Sequence, residues 1–293
     1  MPVPATITGH MRAMQMASYS FDNGERVGLV EGASIIDLGL AEPLSALLGP
    51  AGRAKIAAAS TAASTAASTA NRYPLDLSRL CAPIPKPPLF LGVGLNYRDH
   101  AREMGREMGD TPAVFAKPAN SIAAPFASIS SPFASFDYEG ELGIVIGTRC
   151  HRASTADAPA FIAGYVIVND LSVRELLRPD TLVLGKGGFG HAPFGPWLTT
   201  ADAVPDPHNL AIITRVNGEV RQQSNTRELH RNIFDLVAWL SSALVLEPGT
   251  IIATGSPAGS GSGFTPPRWL MPGDLVSVEI EGLGRIEQRV VAA

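Results

Sequence analysis

The stretch DYEGELGIVIG, residues 137–147, reads as a strand that opens on acidic residues and continues as an apolar run. Side chains alternate along a strand with a period of two, so Glu139 and Glu141 point to one face, with Gly143 and Val145 beyond them. Gly140, Leu142, Ile144 and Ile146 point to the other face. Two carboxylates on one side of an apolar strand repel each other when both are ionised and buried, and a cation between them removes that cost. The same residues also allow a plainer reading, an exposed strand end with two solvated glutamates.

The next apolar run, residues 161–169, ends at Asn169-Asp170. Asp170 thus stands at a strand end, a place for chemistry or for a simple cap. Three carboxylates with no His or Cys cluster beside them specify a hard cation, Mg2+ or Mn2+, with water and substrate oxygens completing the octahedron. Zn2+ fits less well because it prefers nitrogen and sulfur ligands.

Outward from this core the chain punctuates itself. Towards the N-terminus, residues 14–20, 27–30 and 35–36 read as short strands, with turn signals at Asn23-Gly24 and Glu31-Gly32. Residues 43–59 carry Leu44, Leu47 and Leu48 at helical spacing. The tandem repeat AASTAASTAAST, residues 58–69, reads as a tolerated loop insertion or a helix extension. CAPIPKPP, residues 81–88, cannot be a helix interior or a central strand, so it is read as a connector. It separates a small β-rich N-terminal domain, residues 1–82, from a main domain, residues 83–293.

In the main domain, residues 89–94 read as a strand and residues 96–108 as a helix. Residues 211–216 and 219–223 flank the hairpin signal Asn217-Gly218, residues 233–246 read as a helix, and residues 250–254 as a buried strand. A last hairpin joins 274–281 to 284–291 around Gly282. Few helices alternate with these strands, so the expected class is α+β and strand-rich, not a doubly wound parallel sheet.

Composition narrows the function classes. The chain has 293 residues, 45% of them hydrophobic, enough for a sizeable core. Its net charge is −4 and it has no basic run, which argues against a nucleic-acid partner. No apolar stretch approaches the roughly 18–20 residues of a membrane span, and the N-terminal segment lacks the apolar core of a secretory signal. Cys81 and Cys150 form no CxxC pattern. A cytoplasmic enzyme is the expectation.

His100 and Glu103 lie three residues apart in NYRDHARE, residues 96–103, and are neighbours on one helical face. A carboxylate beside an imidazole raises its basicity and fixes its tautomer, which suits a general base. An ordinary surface pair is the alternative.

Six segments now stand in order: GVGLNYRDHAREMG (92–105), DYEGELGIVIG (137–147), AGYVIVNDLSVRE (163–175), VNGEVRQ (216–222), ATGSPAG (253–259) and PGDLVSVEIEGLG (272–284). Together they closely resemble the fumarylacetoacetate hydrolase family, in its acylpyruvate hydrolase-like branch, from about residue 83 to the end. The resemblance implies a mixed β-roll or sandwich catalytic domain behind a small N-terminal domain, and a homodimer. It implies Mg2+ or Mn2+ on Glu139, Glu141 and Asp170, and a dyad of His100 and Glu103. Lys186 matches a catalytic lysine of the family. Lys117, Arg174, Gln222 and Ser256 match positions that bind substrate, although Arg174 could equally partner a carboxylate. Two departures stand out: Leu177 replaces a frequent glutamine, and Ser256 replaces the threonine of a Gly-Thr-Pro loop. Ser256 keeps the hydroxyl; Leu177 removes a polar contact and so bears on substrate choice.

The function this implies is hydrolysis of the C–C bond of an acylpyruvate or related 2,4-dioxo acid, with the metal acting as a Lewis acid on enolate charge. The alternatives are decarboxylation, isomerisation or hydration of a 2-oxo acid at the same site. A third reading, from another class, is a non-catalytic binding protein.

Overall fold

The computed structural model describes residues 14–22, 24–65, 71–109 and 111–293. Asn23 of the expected first turn, residues 66–69 of the Ala/Ser/Thr repeat and residues 1–13 lie outside the described residues.

The strand that carries Glu141 forms as Gly140–Ile146, and every one of its residues is buried. It pairs antiparallel with Ile162–Asn169, also buried throughout, which sets Glu141 opposite Val168 and Gly140 opposite Asn169. On its other side Ile251–Ala253 pairs with it antiparallel. The alternation read from sequence is realised in packing. Leu142, Ile144 and Ile146 enter one apolar cluster with Ile233, Leu236 and Leu240 of the helix Ile233–Ala243. Val145 enters another, with Val166, Val168 and Ala253. Once these two faces are buried, a one-residue slip would move every side chain to the wrong layer, so the register of Glu139 and Glu141 is fixed by the core.

These strands are the middle of one mixed sheet of eleven. Its path runs Arg72–Pro74, Ser34–Asp37, Gly24–Glu31, Gln15–Phe21, Ala192–Thr200, Ile162–Asn169, Gly140–Ile146, Ile251–Ala253, Phe90–Gly94, Ala113–Ala116, with Ile122–Ala123 beside Ala192–Thr200. The N-terminal strands therefore belong to the same sheet as the rest of the chain, joined through Gln15 opposite Thr199 and Met16 opposite Leu198. A second sheet orders as Glu219–Asn225, Ala211–Val216, Leu275–Ile280, Gly284–Arg289. It packs onto the first so tightly at Gly140 that a Cβ there would lie 2.3 Å from Thr214 Oγ1. This is why glycine separates the two glutamates. Among the described residues there are four α-helices, and no helix is long and apolar enough to cross a membrane. The strand-rich α+β class is the one the sequence led us to expect.

Three local expectations need adjustment. The helix expected over 96–108 forms only as Arg98–Glu103. Gly105, at φ +60, ends it, with the Arg106 N–H reaching back to the Ala101 carbonyl, a Schellman closure. The helix expected over 43–59 is a 3-10 turn at Leu44–Leu47 followed by a helix Pro50–Thr65. The strand Ala192–Thr200 was not expected, because Pro193 and Pro196 lack the N–H a central strand needs. It is nonetheless central; its pairing with Ile162–Asn169 shifts register, with Pro196, Trp197 and Leu198 set against the single Val166 between the pairs Tyr165–Thr199 and Ile167–Gly195. Residues 81–88 form neither helix nor strand, as their prolines require.

Candidate active site

Among the described residues, Glu139, Glu141 and Asp170 are the one group of three ligand-type side chains, with acceptor atoms all within 4.8 Å of one another. All three are buried. The ladder explains their meeting. Glu139 and Glu141 leave one face of their strand, and Asp170 follows directly after the neighbouring strand, its N–H donating to the Glu139 carbonyl at 2.8 Å.

Burying carboxylates this closely is costly unless cations are near. Lys186 closes the short helix Leu182–Lys186 and donates to Glu139 Oε2 at 2.6 Å and Asp170 Oδ2 at 2.8 Å. Lys117, just past the strand Ala113–Ala116, pairs with Asp170 Oδ1. Arg174 lies 2.6 Å from Glu139 Oε1 and donates from Nε to Asp137 Oδ2 at 2.7 Å. Burial by itself would raise Glu139, but Lys186 and Arg174 together hold it down at about 2. Burial would lower Lys186, yet Asp170 and Glu139 outweigh it and keep the ammonium charged. For Lys117 burial prevails over Asp170, and its pKa is lowered.

Glu141 differs. It makes no ion pair among the described residues and accepts one backbone N–H, from Gly255 at 2.8 Å. Burial, then Asp170 and Glu139, push its carboxyl well above the ordinary carboxylate range. Four carboxylates, counting Asp137, thus face three cations, and the unbalanced one lies among the three oxygen-ligand residues. A hard divalent cation fits this donor set: it would balance Glu141 and suit all-oxygen coordination. Glu139, Glu141 and Asp170 are the residues that would hold it.

The dyad is built from different material. His100 Nδ1 lies 2.9 Å from Glu103 Oε2. The other Glu103 oxygen accepts the Gly259 N–H at 2.9 Å. Asp99 helps start this short helix, accepting the His100 N–H at 2.7 Å and a hydrogen bond from Ser224 Oγ.

Of the expected substrate-binding residues, Lys117 and Arg174 are brought to the carboxylates. Gln222 is fully buried and its amide is engaged by protein: Oε1 accepts the Gly140 N–H at 2.9 Å, and Nε2 donates to Ser256 Oγ at 2.7 Å and the Pro257 carbonyl at 2.8 Å. Gln222 and Ser256 therefore brace the ligand strand against the loop after residue 254. Leu177 packs on the backbone before Lys186, where a Cβ on Gly185 would lie 2.5 Å from Leu177 Cδ2. Sequence reading passed over Asp137 and Phe115. The first anchors Arg174; the second places its ring 5.2 Å below the Lys186 ammonium. Asp137 was within reach, as the acidic residue two before Glu139. Phe115 gave no signal of its own.

The chain is similar to known proteins over most of its length. The sequence profile described as fumarylacetoacetate (FAA) hydrolase C-terminal matches residues 90–291. A fumarylacetoacetate hydrolase from psychrophilic Exiguobacterium antarcticum has a solved structure that is 32% identical, with a TM-score of 0.80 over 96% of this chain and 100% of its own. A maleylpyruvate hydrolase from Sphingobium sp. SYK-6, solved in complex with manganese(II) and pyruvate, is 30% identical, with a TM-score of 0.78 over 96% of this chain and 100% of its own. A 2-hydroxyhepta-2,4-diene-1,7-dioate isomerase from Mycobacterium marinum is 31% identical, with a TM-score of 0.75 over 96% of this chain and 99% of its own.

Proposed function

The chain belongs to the fumarylacetoacetate hydrolase family, and we propose that within it this is a Mg2+- or Mn2+-dependent hydrolase cleaving the C–C bond of an acylpyruvate or related 2,4-dioxo acid. The observation that carries the reading is the oriented dyad: His100 Nδ1 is 2.9 Å from one Glu103 oxygen while a backbone N–H holds the other. With the Nδ1 proton directed at Glu103, Nε2 of His100 presents its lone pair and can take a proton from water.

The water oxygen adds to the carbonyl carbon distal to the substrate carboxylate. The bond from that carbon to the methylene breaks, and its electron pair passes to the pyruvate half as an enolate. The acyl half leaves as a carboxylic acid, and the proton taken by His100 is returned to the methylene carbon. Glu139, Glu141 and Asp170 would hold a divalent cation, which would supply Lewis-acid stabilisation of the enolate charge. Lys186, buried and held cationic, adds fixed positive charge where the enolate develops. Lys117 and Arg174 hold Asp170 and Glu139 in place from behind. Manganese and pyruvate, the pair bound by the Sphingobium relative, are the ligands this reading expects.

The test is a spectrophotometric screen of 2,4-dioxo acids and oxaloacetate with Mg2+ and with EDTA. Pyruvate released from a dioxo acid with Mg2+ and not with EDTA supports the reading; no product across the panel overturns it. The likeness to the Mycobacterium marinum isomerase favours a second reading, in which the same site isomerises an unsaturated 2-oxo acid or decarboxylates oxaloacetate. A His100→Ala variant that loses hydrolysis but keeps decarboxylation separates those two, because decarboxylation needs no activated water; isomerisation is read directly, as a product of unchanged mass.

A further inference from the structure

Asp137 stands two residues before Glu139 and is fully buried. Its carboxylate takes four donors. Oδ1 accepts the N–H groups of Gly261 at 2.7 Å and Tyr138 at 2.9 Å; Oδ2 accepts the Ser262 N–H at 3.1 Å and Arg174 Nε at 2.7 Å. The far end of Arg174 reaches Glu139. One carboxylate thus ties the loop 259–263 to a residue of the metal set.

The same loop is gripped from the other side. Glu103 accepts the Gly259 N–H, and the Tyr138 hydroxyl donates to the Gly259 carbonyl at 3.0 Å. Gly259 sits at φ +97, where a Cβ would lie 1.9 Å from the Arg221 carbonyl oxygen. A Cβ on Gly263 would fall 2.5 Å from Glu103 Oε1. A side chain is therefore excluded at Gly259, and at Gly263 it would push the Glu103 carboxylate aside. The chain runs unbroken between two carboxylates, Asp137 on the metal side and Glu103 on the dyad side.

We infer that Asp137 is a positioning residue: by clamping residues 259–263 it sets Glu103, and through it His100, in register with Glu139. The roles given to Glu103 and Glu139 rest on the proposed function; the clamp rests on contacts alone. An ionised carboxylate offers about four lone-pair sites, enough for three backbone donors and one guanidinium. An amide of the same shape has one acceptor oxygen, so Asp137→Asn must release one loop donor in either orientation, Gly261 together with Tyr138 or Ser262 together with Arg174.

Amide hydrogen exchange on the full-length protein, without metal, tests this. In Asp137→Asn, Gly261 and Ser262 should exchange faster, and so should Gly259, whose N–H bonds Glu103 and not Asp137. The expected acceleration is at least about tenfold, with Val145 in the central strand unchanged as the control for global opening. Gly263→Ala, which pushes on Glu103 from the opposite side, should accelerate Gly261 and Ser262 in return, and it carries the test if Asp137→Asn does not fold. In turnover of a dioxo acid, Asp137→Asn should lower kcat about tenfold or more and leave KM within about twofold, because the dyad acts on water and not on substrate binding. Unchanged protection at Gly259 in Asp137→Asn, with Gly261 and Ser262 accelerated, would overturn the clamp by showing two independent anchors. A wild-type protein that cleaves no dioxo acid would sink the proposed function instead, and the exchange result would still decide the clamp.

Discussion

Glu141 and His100 belong to one candidate site but to opposite kinds of structure. Glu141 rises from a strand buried at every residue and paired on both sides. His100 rises from a six-residue helix whose last residue, Glu103, takes its second contact from a glycine-rich loop. The first region is set by the core and cannot shift without moving two apolar clusters. The second is set by a handful of hydrogen bonds. The lesson is a division of labour. In the proposed reaction, the groups that would hold charge at fixed separation sit on the ladder, and the group that would exchange protons with water sits at the partly exposed edge, with the His100 side chain 12% exposed. Stability is lower where few apolar contacts support the backbone, so the two regions should respond differently to change.

The largest expected effect breaks the comparison on the dyad side. His100→Ala should lower turnover of a dioxo acid by about 10²–10⁴-fold, the usual contribution of a positioned general base, while Mn2+ affinity stays within about twofold. Steady-state rates paired with calorimetric titration of Mn2+ check both halves. On the ladder side the pattern reverses. Glu141→Gln removes an oxygen ligand that can carry charge and should weaken Mn2+ binding by about 100-fold, with the fold intact, because the amide is neutral and of the same shape as the protonated carboxyl.

Acidity sharpens the contrast within the ladder. Glu141 is raised above its ordinary value of 4.5 by burial and then by Asp170 and Glu139. Without metal its folded form therefore keeps a proton that the unfolded chain gives up. The stability this contributes is full below 4.5 and declines as pH rises towards the raised folded value. A divalent cation must displace that proton, so Mn2+ affinity should rise with pH across the same window, by up to about tenfold per unit. Glu139 runs the other way. Burial would raise it, but Lys186 and Arg174 hold it at about 2, so its contribution is present above 4.5 and is lost only as pH falls towards 2. Mn2+ titrations in buffers of different ionisation enthalpy read the released proton directly; no proton released at any pH above 4.5 would contradict the assignment of Glu141.

A smaller effect on function comes from the core. Ile144→Ala should cost about 2–5 kcal/mol of stability. In denaturant melts the loss should appear as a lower midpoint, with kcat per folded molecule little changed.

What the sequence made legible follows the same division. Period-two alternation placed Glu139 and Glu141 on one face because a strand buried on both sides leaves no other register. The three-residue spacing of His100 and Glu103 was readable because a single helical turn decides it. The partners of Asp137 were not readable. Gly261, Ser262 and Arg174 lie far along the chain, and only the folded loop brings them to one carboxylate. Gln222 shows the same limit: its motif pointed to substrate, while the fold brings its amide to Gly140, Ser256 and Pro257. The strand Ala192–Thr200 escaped because its prolines speak against a central strand, and a bulge in that strand itself, Pro196 to Leu198 against Val166, accommodates Pro196.

The central claim is that the three buried carboxylates hold the cation on which C–C cleavage depends. Its most direct test follows pyruvate release from an acylpyruvate in one assay with wild type and Glu141→Gln, each with Mg2+ and with EDTA. Release by the wild type with Mg2+, and its loss both in EDTA and in Glu141→Gln, is the result predicted. Equal pyruvate release in EDTA, or undiminished release by Glu141→Gln, would contradict it.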